Sequence, residues 1–292
     1  MLKISNISFP GFGIGEFSVN SVAISIDIGD FHWSIAWYAL IIACGMVAAC
    51  LYTIIRSKKI GVTLDDVLDF AIPTILCGIL GARLYYVLTK PGVVKEFVDI
   101  FKIWEGGLAI YGGIIGGGLA VLVVSYIKKI NFLAFADYVA PAVLLAQGIG
   151  RWGNFMNGEA YGGICDWFCR MGLQNDNTLF DFGTSELVYV HPTFLYESLW
   201  NIIGFLIVAF FTNHKKYDGQ CFLLIFAWYG FGRMFIEGLR TDSLYIFGTI
   251  RISQLLGGLI FLVCASVIVY FTIRKPTKKL YCKSANTFKN RR

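Results

Sequence analysis

Seven apolar runs divide the chain: Ser34 to Ile55, Val67 to Leu88, Leu108 to Ile127, Phe132 to Gly150, Thr193 to Phe211, Cys221 to Leu239 and Ile252 to Ile273. Each is long enough to cross a hydrocarbon core as a helix, which takes about 20 residues. Short polar stretches end them. Arg56 to Lys59, Lys128-Lys129, Lys215-Lys216 and the tail from Arg274 are basic, while Lys90-Pro91-Gly92 closes the second run. Thr63, with Asp65 and Asp66 behind it, predicts the start of the second helix: a hydroxyl cap and an acidic first turn. In the third run Gly112, Gly113, Gly116, Gly117 and Gly118 set small residues a turn apart, which permits close helix approach in lipid.

The basic clusters fall at alternate helix ends, as the positive-inside rule requires if the N-terminus is outside and the C-terminus cytoplasmic. The expected fold is an all-α polytopic membrane protein. Residues 1–273 form one seven-helix transmembrane domain and residues 274–292 a basic cytoplasmic tail. The polar stretch 151–191 between the fourth and fifth helices is too long for an ordinary bundle loop and is expected to form a small extracytoplasmic cap. Residues 92–106 read as an outer, partly amphipathic connection. In the opening segment Ile24, Ile26 and Ile28 alternate with Ser25 and Asp27, a short strand-like or interfacial pattern. The first 20 residues lack a basic stretch followed by an apolar core, so the first helix is expected to direct targeting itself. The chain shows no internal repeat.

Composition narrows the class further. The chain is 57% hydrophobic and 15% charged, against about 25% charged in soluble domains, which excludes a water-soluble globule. The net charge of +6 is scattered between apolar runs and forms no nucleic-acid patch. Cys44, Cys50, Cys77 and Cys264 lie in apolar runs and read as small hydrophobes. Cys165 and Cys169, in the segment expected outside, fit a disulfide or two free thiols equally well. No zinc spacing, Walker loop, Ser nucleophile elbow or HExxH pattern occurs, so no metal or cofactor is expected.

Ionisable residues inside membrane helices cost roughly 2.5–3.5 kcal/mol each and are functional candidates by default. Arg83, Asp137, Glu197, Arg233 and Glu237 qualify, and all but Asp137 fall toward the outer helix ends. Arg233, Glu237 and Arg240 share one helix face at i, i+4 and i+7. Behind the fourth run comes Gly150-Arg151-Trp152-Gly153-Asn154-Phe155-Met156-Asn157-Gly158-Glu159-Ala160-Tyr161-Gly162-Gly163, with an arginine, two asparagines, a glutamate and five glycines. Its bland reading is a glycine helix stop, and that of the sixth helix is a local ion pair. Several arginines at one depth instead suggest an anionic phospholipid headgroup, since a guanidinium fork matches phosphate oxygens. His191, ahead of the fifth span, is either structural or a proton carrier. Tyr38 fits an aromatic belt, and the Tyr111 hydroxyl needs a partner.

Gly150 to Gly162 closely resembles the signature of the bacterial prolipoprotein diacylglyceryl transferases. Trp37-Tyr38 is similar to the family's first-helix pair, although Ala39 replaces the usual glycine. The resemblance continues through Gly81-Ala82-Arg83-Leu84-Tyr85-Tyr86, Gly106 to Gly113, His191-Pro192-Thr193-Phe194-Leu195-Tyr196-Glu197 and Gly232 to Glu237. It implies a transferase in the bacterial cytoplasmic (inner) membrane. Such an enzyme moves the diacylglyceryl group of phosphatidylglycerol to the lipobox cysteine of a prolipoprotein signal peptide and releases glycerol phosphate.

On that resemblance Arg151, Arg233, Glu237, Tyr111 and His191 carry the catalysis. Arg151, Arg233, Asn154, Asn157, Glu159, Gly162, Tyr38, Arg83 and Arg240 bind the phospholipid. Glu159 and Glu237 are expected to hold the arginines in place. Tyr111 stands where many members have histidine, so the general base is open between a tyrosine relay, His191 and Glu237. The rival class is a transporter or lipid-binding protein that uses the same arginines without chemistry.

Overall fold

Among the residues described by the computed structural model (4–28, 31–58, 61–90, 98, 106–241, 245–246 and 250–274), seven helices are long and apolar enough to cross a membrane. They are α1 (Trp37–Ser57), α2 (Leu64–Thr89), α3 (Ile110–Ile127), α4 (Phe132–Met156), α6 (Thr193–Phe211), α7 (Gln220–Ile236) and α8 (Ile252–Arg274). A short α5 (Asp176–Phe182) lies between α4 and α6. The helices bear out the seven predicted spans. Large apolar side chains such as Leu88, Ile110, Phe210 and Ile273 are exposed along them, as expected of surfaces facing acyl chains. The basic tail beyond Arg274, and the 92–105 connection apart from position 98, lie outside the described residues.

The chain divides into two compact units, one of Met1–Ala49 with Val139–Pro276 and a second built around Cys50–Tyr138. In the second unit the predicted cap opens α2: the Thr63 hydroxyl accepts from the Asp66 amide at 3.2 Å, and an Asp66 carboxylate oxygen accepts from the Thr63 amide at 3.1 Å. The glycines of α3 do what their spacing predicted. A Cβ on Gly81 would lie 2.5 Å from the Gly112 carbonyl oxygen, and one on Gly116 would collide with the Cys77 carbonyl. The α2 and α3 backbones therefore touch directly. Lys128, just past α3, bonds to Asp66 at 3.0 Å and also to Asp69, and its ammonium is raised above the usual lysine range, chiefly by Asp69.

The first unit carries a feature the hydrophobic pattern did not announce. β1 (Ile4–Phe9), β2 (Ile14–Asn20), β5 (Met171–Gln174) and β6 (Val188–Val190) form an antiparallel sheet in the order β2-β1-β5-β6. Ile7 faces Phe17 on one side and Leu173 on the other, and Met171 faces Val190. Ile7, Val19, Tyr161, Met171, Leu173 and Val190 make a core with Phe194 of α6, and Phe155 and Met156 of α4 pack against it. The sheet thus sits on the end of α4 and the start of α6. The alternation at Ile24 to Ile28 appears as β3 (Val22–Ile28), paired with β4 (Phe31–Ala36) ahead of α1. A two-stranded ribbon, β7 (Tyr245–Ile246) and β8 (Ile250–Arg251), precedes α8.

Two tryptophans fix α6 against α7. Trp200 and Trp228 stack at 4.3 Å with an interplanar angle of 16°. Each indole donates at 3.0 Å to the other's backbone carbonyl. Gly204 and Gly232 leave the room: a Cβ on Gly204 would collide with the Trp228 indole nitrogen, and one on Gly232 with that of Trp200. Gly232→Ala gains about 1 kcal/mol of helix propensity but forces overpacking that costs about 1–3 kcal/mol. Its unfolding midpoint in detergent should fall. Gly118→Ala, where nothing lies within 4 Å, should leave it level or raise it.

Candidate functional site

The polar motif after the fourth apolar run is helical through its first half. α4 continues past Gly150 and Gly153 to Met156, which corrects the expectation that these glycines stop the helix. Packing explains the extension. Trp152 and Phe155 of α4 meet Phe194 of α6 at 5.5 and 4.8 Å, burial worth more than the glycine penalty of about 1 kcal/mol. Gly153 also gives Tyr38 its seat, since a Cβ there would stand 2.7 Å from the tyrosine ring. The turn comes later, at Gly158 and Ala160, whose φ angles are +58° and +57°. The cap is correspondingly shorter than residues 151–191. Arg151 and Asn154 sit a turn apart on one helix, and the Arg151 guanidinium points to the Asn154 side-chain oxygen at 3.5 Å.

Glu197 is the centre of the site. It lies on the second turn of α6 and is 5% exposed. Its carboxylate meets Arg151 at 2.5 Å, Arg233 at 3.3 Å and Arg240 at 3.1 Å. Arg233 also holds Glu237 at 2.6 Å. The tryptophan clasp sets this register, because Glu197 is three residues before Trp200 and Arg233 is five after Trp228. Among the described residues, three guanidiniums and two carboxylates thus meet in one cluster. From the sequence Glu197 is a membrane ionisable group with no assigned place in the site. Arg151, Arg233, Glu237 and Arg240 are expected there, and the structure brings those four together.

The expected Arg151–Glu159 pairing is replaced. Glu159 accepts from the side-chain amides of Asn154 and Asn157, both at 3.1 Å, so Asn154 lies between Arg151 and Glu159. Gly162 is buried among protein atoms, and a Cβ there would stand 2.7 Å from both the His191 Cβ and the Leu239 carbonyl oxygen. Its amide donates to the His191 carbonyl at 3.0 Å, and the Gly163 amide donates to Leu239 at 2.8 Å. Gly162 also bridges Arg240. The segment Tyr161–Gly163 therefore laces the approach to α6 to the exit of α7. Arg251, which the residue reading passed over, donates to the Glu237 carbonyl at 2.5 Å and caps the end of α7.

His191 places Nδ1 3.3 Å from the Tyr196 hydroxyl, and burial pushes its imidazole below the ordinary histidine value. The ring is therefore neutral, and able to accept a proton, at neutral pH. Tyr196 reaches the Cys169 sulfur at 3.1 Å; Cys165 and Cys169 are both free thiols. Arg83 and Tyr111 belong to the second unit. Arg83 is buried in α2 and donates to the Gly106 and Gly107 carbonyls at 2.6 and 3.3 Å, holding the approach to α3. Tyr111 is half-exposed at the start of α3, its ring 6.3 Å from that of Tyr85. Asp137 is fully buried there. Among the described residues no group of three or more His, Cys, Asp and Glu side chains has a metal-holding arrangement.

Residues 23–270 match the family described as prolipoprotein diacylglyceryl transferase. A phosphatidylglycerol–prolipoprotein diacylglyceryl transferase of Enterococcus faecalis is 43% identical over 266 residues, 90% of this chain and 94% of that protein. Proteins of the same name from Staphylococcus aureus and Lactobacillus delbrueckii are 42% and 41% identical, across 89% and 87% of this chain and 92% of each of theirs.

Removing one partner of a buried ion pair leaves the other charge uncompensated, at about 3–5 kcal/mol. Glu197→Gln faces three guanidiniums at once, whereas Glu159→Gln loses only neutral amide donors. The unfolding midpoint should therefore drop further for Glu197→Gln than for Glu159→Gln. Equal midpoints would remove Glu197 from the centre of the cluster.

Proposed function

The chain belongs to the prolipoprotein diacylglyceryl transferase family, and from that premise we propose that it transfers the diacylglyceryl group of phosphatidylglycerol to a prolipoprotein cysteine thiol. This is the first step of lipoprotein maturation. The acceptor is the lipobox cysteine of the signal peptide. The reaction takes place at the outer face of the bacterial cytoplasmic membrane, with the N-terminus and the sheet outside and the C-terminus within.

One observation carries the reading: three arginines converge on one buried carboxylate. A phosphodiester headgroup brings one negative charge. The cysteine sulfur attacks the glycerol carbon that bears the phosphate. The S–C bond forms, the C–O bond breaks, and its electron pair leaves on the phosphate oxygen, yielding glycerol phosphate. Negative charge on that phosphate grows along the path. Arg151 and Arg233, less enclosed than Glu197, are placed to meet it, and a preorganised donor of this kind contributes about 3–4 kcal/mol. Glu197 and Glu237 hold the guanidiniums, while Asn154, Asn157 and Glu159 extend the polar wall toward Tyr38.

The thiol proton needs an acceptor, because a cysteine of pKa about 8.5 is only a few per cent thiolate at neutral pH. Glu237 is tied to Arg233 at 2.6 Å, so its carboxylate is already engaged by a guanidinium. His191, held neutral by burial, is the better acceptor. The role of Tyr111 rests on its place in the sequence motif: its hydroxyl orients the headgroup or relays the proton.

Purified enzyme, given phosphatidylglycerol and a lipobox peptide, should add one diacylglyceryl mass to the peptide cysteine. Arg233→Ala should lower that rate by roughly a hundredfold or more. Peptide labelling at the wild-type rate in Arg233→Ala would overturn the assignment, and peptide left unmodified by the wild type would favour lipid binding without chemistry. In the same assay Tyr111→Phe should slow turnover and Tyr111→His retain it. Full activity in Tyr111→Phe would exclude the hydroxyl from the mechanism.

A further inference from the structure

We propose that the turn at residues 164–168, together with the tip of the β1–β2 hairpin, is a membrane anchor separate from the seven helices. It enters the lipid headgroup layer of the leaflet at which α6 starts. Ile164, Trp167 and Phe168 are 67%, 71% and 66% exposed, and Phe12 at the hairpin tip is 51% exposed. Three of them share the one turn, and the hairpin tip joins it through Phe168. The Phe12 and Phe168 rings meet edge to face at 4.9 Å, and Gly11 lies so tightly on the turn that an added Cβ would collide with the Phe168 carbonyl. Among the described residues, four large apolar side chains so exposed on one turn and the adjoining hairpin tip are unusual on a surface facing water.

The position of the patch identifies its partner. Ile164 bridges Val190, the Cys165 amide donates to the Tyr189 carbonyl at 2.9 Å, and the Trp167 ring stands 5.9 Å from that of His191. α6 begins at Thr193. Two to four residues of extended chain span at most about 13 Å, and a turn shortens this path, since the Thr193 amide bonds back to the His191 carbonyl at 2.9 Å. The headgroup layer is about 5–7 Å deep on each side of the hydrocarbon, so the turn stands at or just above it. Its chemistry matches that depth, where tryptophan is enriched. Arg170 closes the turn, donating to the Asp166 carbonyl at 3.1 Å with its guanidinium 5.0 Å from the Tyr189 ring, and adds a cation at headgroup level.

The anchor also bears on the site. Gly162, two residues ahead of Ile164, bridges Arg240, and Arg240 meets Glu197. The depth at which the turn rests in the lipid therefore helps set the height of the arginine cluster.

The test is tryptophan fluorescence in liposomes of phosphatidylglycerol and phosphatidylcholine without prolipoprotein. The Trp167 signal is the difference between the full-length wild type and Trp167→Phe, a change that keeps an aromatic ring at the position. Lipids dibrominated near the headgroup should quench most of that signal, and iodide in the buffer should leave it nearly intact. Quenching by iodide but not by brominated lipid would put the patch in water and overturn the proposal. Quenching by neither would put it under another protein surface, which overturns it equally.

Discussion

One buried carboxylate sets the terms for the rest of the site. Glu197 is the only acidic residue in the apolar run it occupies, and alone at that depth it would be intolerable. A carboxylate in a low-dielectric surrounding costs several kcal/mol even after relaxation, and so does each arginine that meets it. Placing them together makes each one tolerable, and the distances of 2.5–3.3 Å to Arg151, Arg233 and Arg240 show how close the association is. Because the three guanidiniums come from α4, α7 and the segment after α7, one carboxylate fixes the relative positions of three parts of the chain.

That arrangement depends on parts with no charge at all. The paired indoles of Trp200 and Trp228 stop α6 sliding along α7, and a slip of one turn, about 5.4 Å, would separate Glu197 from Arg233. The glycines opposite the indoles let the helices approach closely enough for each indole to reach the other's carbonyl. The sheet performs the same task for α4 and α6, with Phe155 and Phe194 as part of its core. The lacing of Tyr161–Gly163 between the stretches before α6 and after α7 then holds Arg240 over the cluster.

The spans were legible because the physics that sets them is one-dimensional. About 20 apolar residues between polar stops define a helix in lipid whatever its neighbours are. The cap at Thr63 and the glycine contacts of α2 and α3 were legible for the same reason: each is a local rule. The hairpin of residues 4–20 was not, because its pairing of Ile7 with Leu173 joins positions far apart in the chain, and Ser, Gly and Asn interrupt its alternation. The end of α4 was misplaced because glycine propensity argues for a stop at Gly150, while the aromatic packing that overrides it involves Phe194 on another helix. The site residues were flagged by their cost in lipid, but that cost does not say who pairs with whom. Arg151 therefore pairs with a glutamate 46 positions on, not with the nearer Glu159.

A division of labour among the three glutamates follows from the proposed chemistry. In the proposed reaction the arginines attract the departing phosphate more strongly than the phosphodiester because its charge is larger, and only such a difference accelerates a reaction. Glu197 and Glu237 already engage the guanidiniums, so on that proposal the ground-state phosphodiester, with one charge, would meet donors that are partly satisfied. As the C–O bond broke, the phosphate would gain charge and compete better with the carboxylates for the same donors. The interaction would therefore strengthen along the proposed path, which is what catalysis requires. The same reasoning fits the neutral pair Asn154 and Asn157 at Glu159: amides satisfy that carboxylate without taking a guanidinium from the proposed headgroup site.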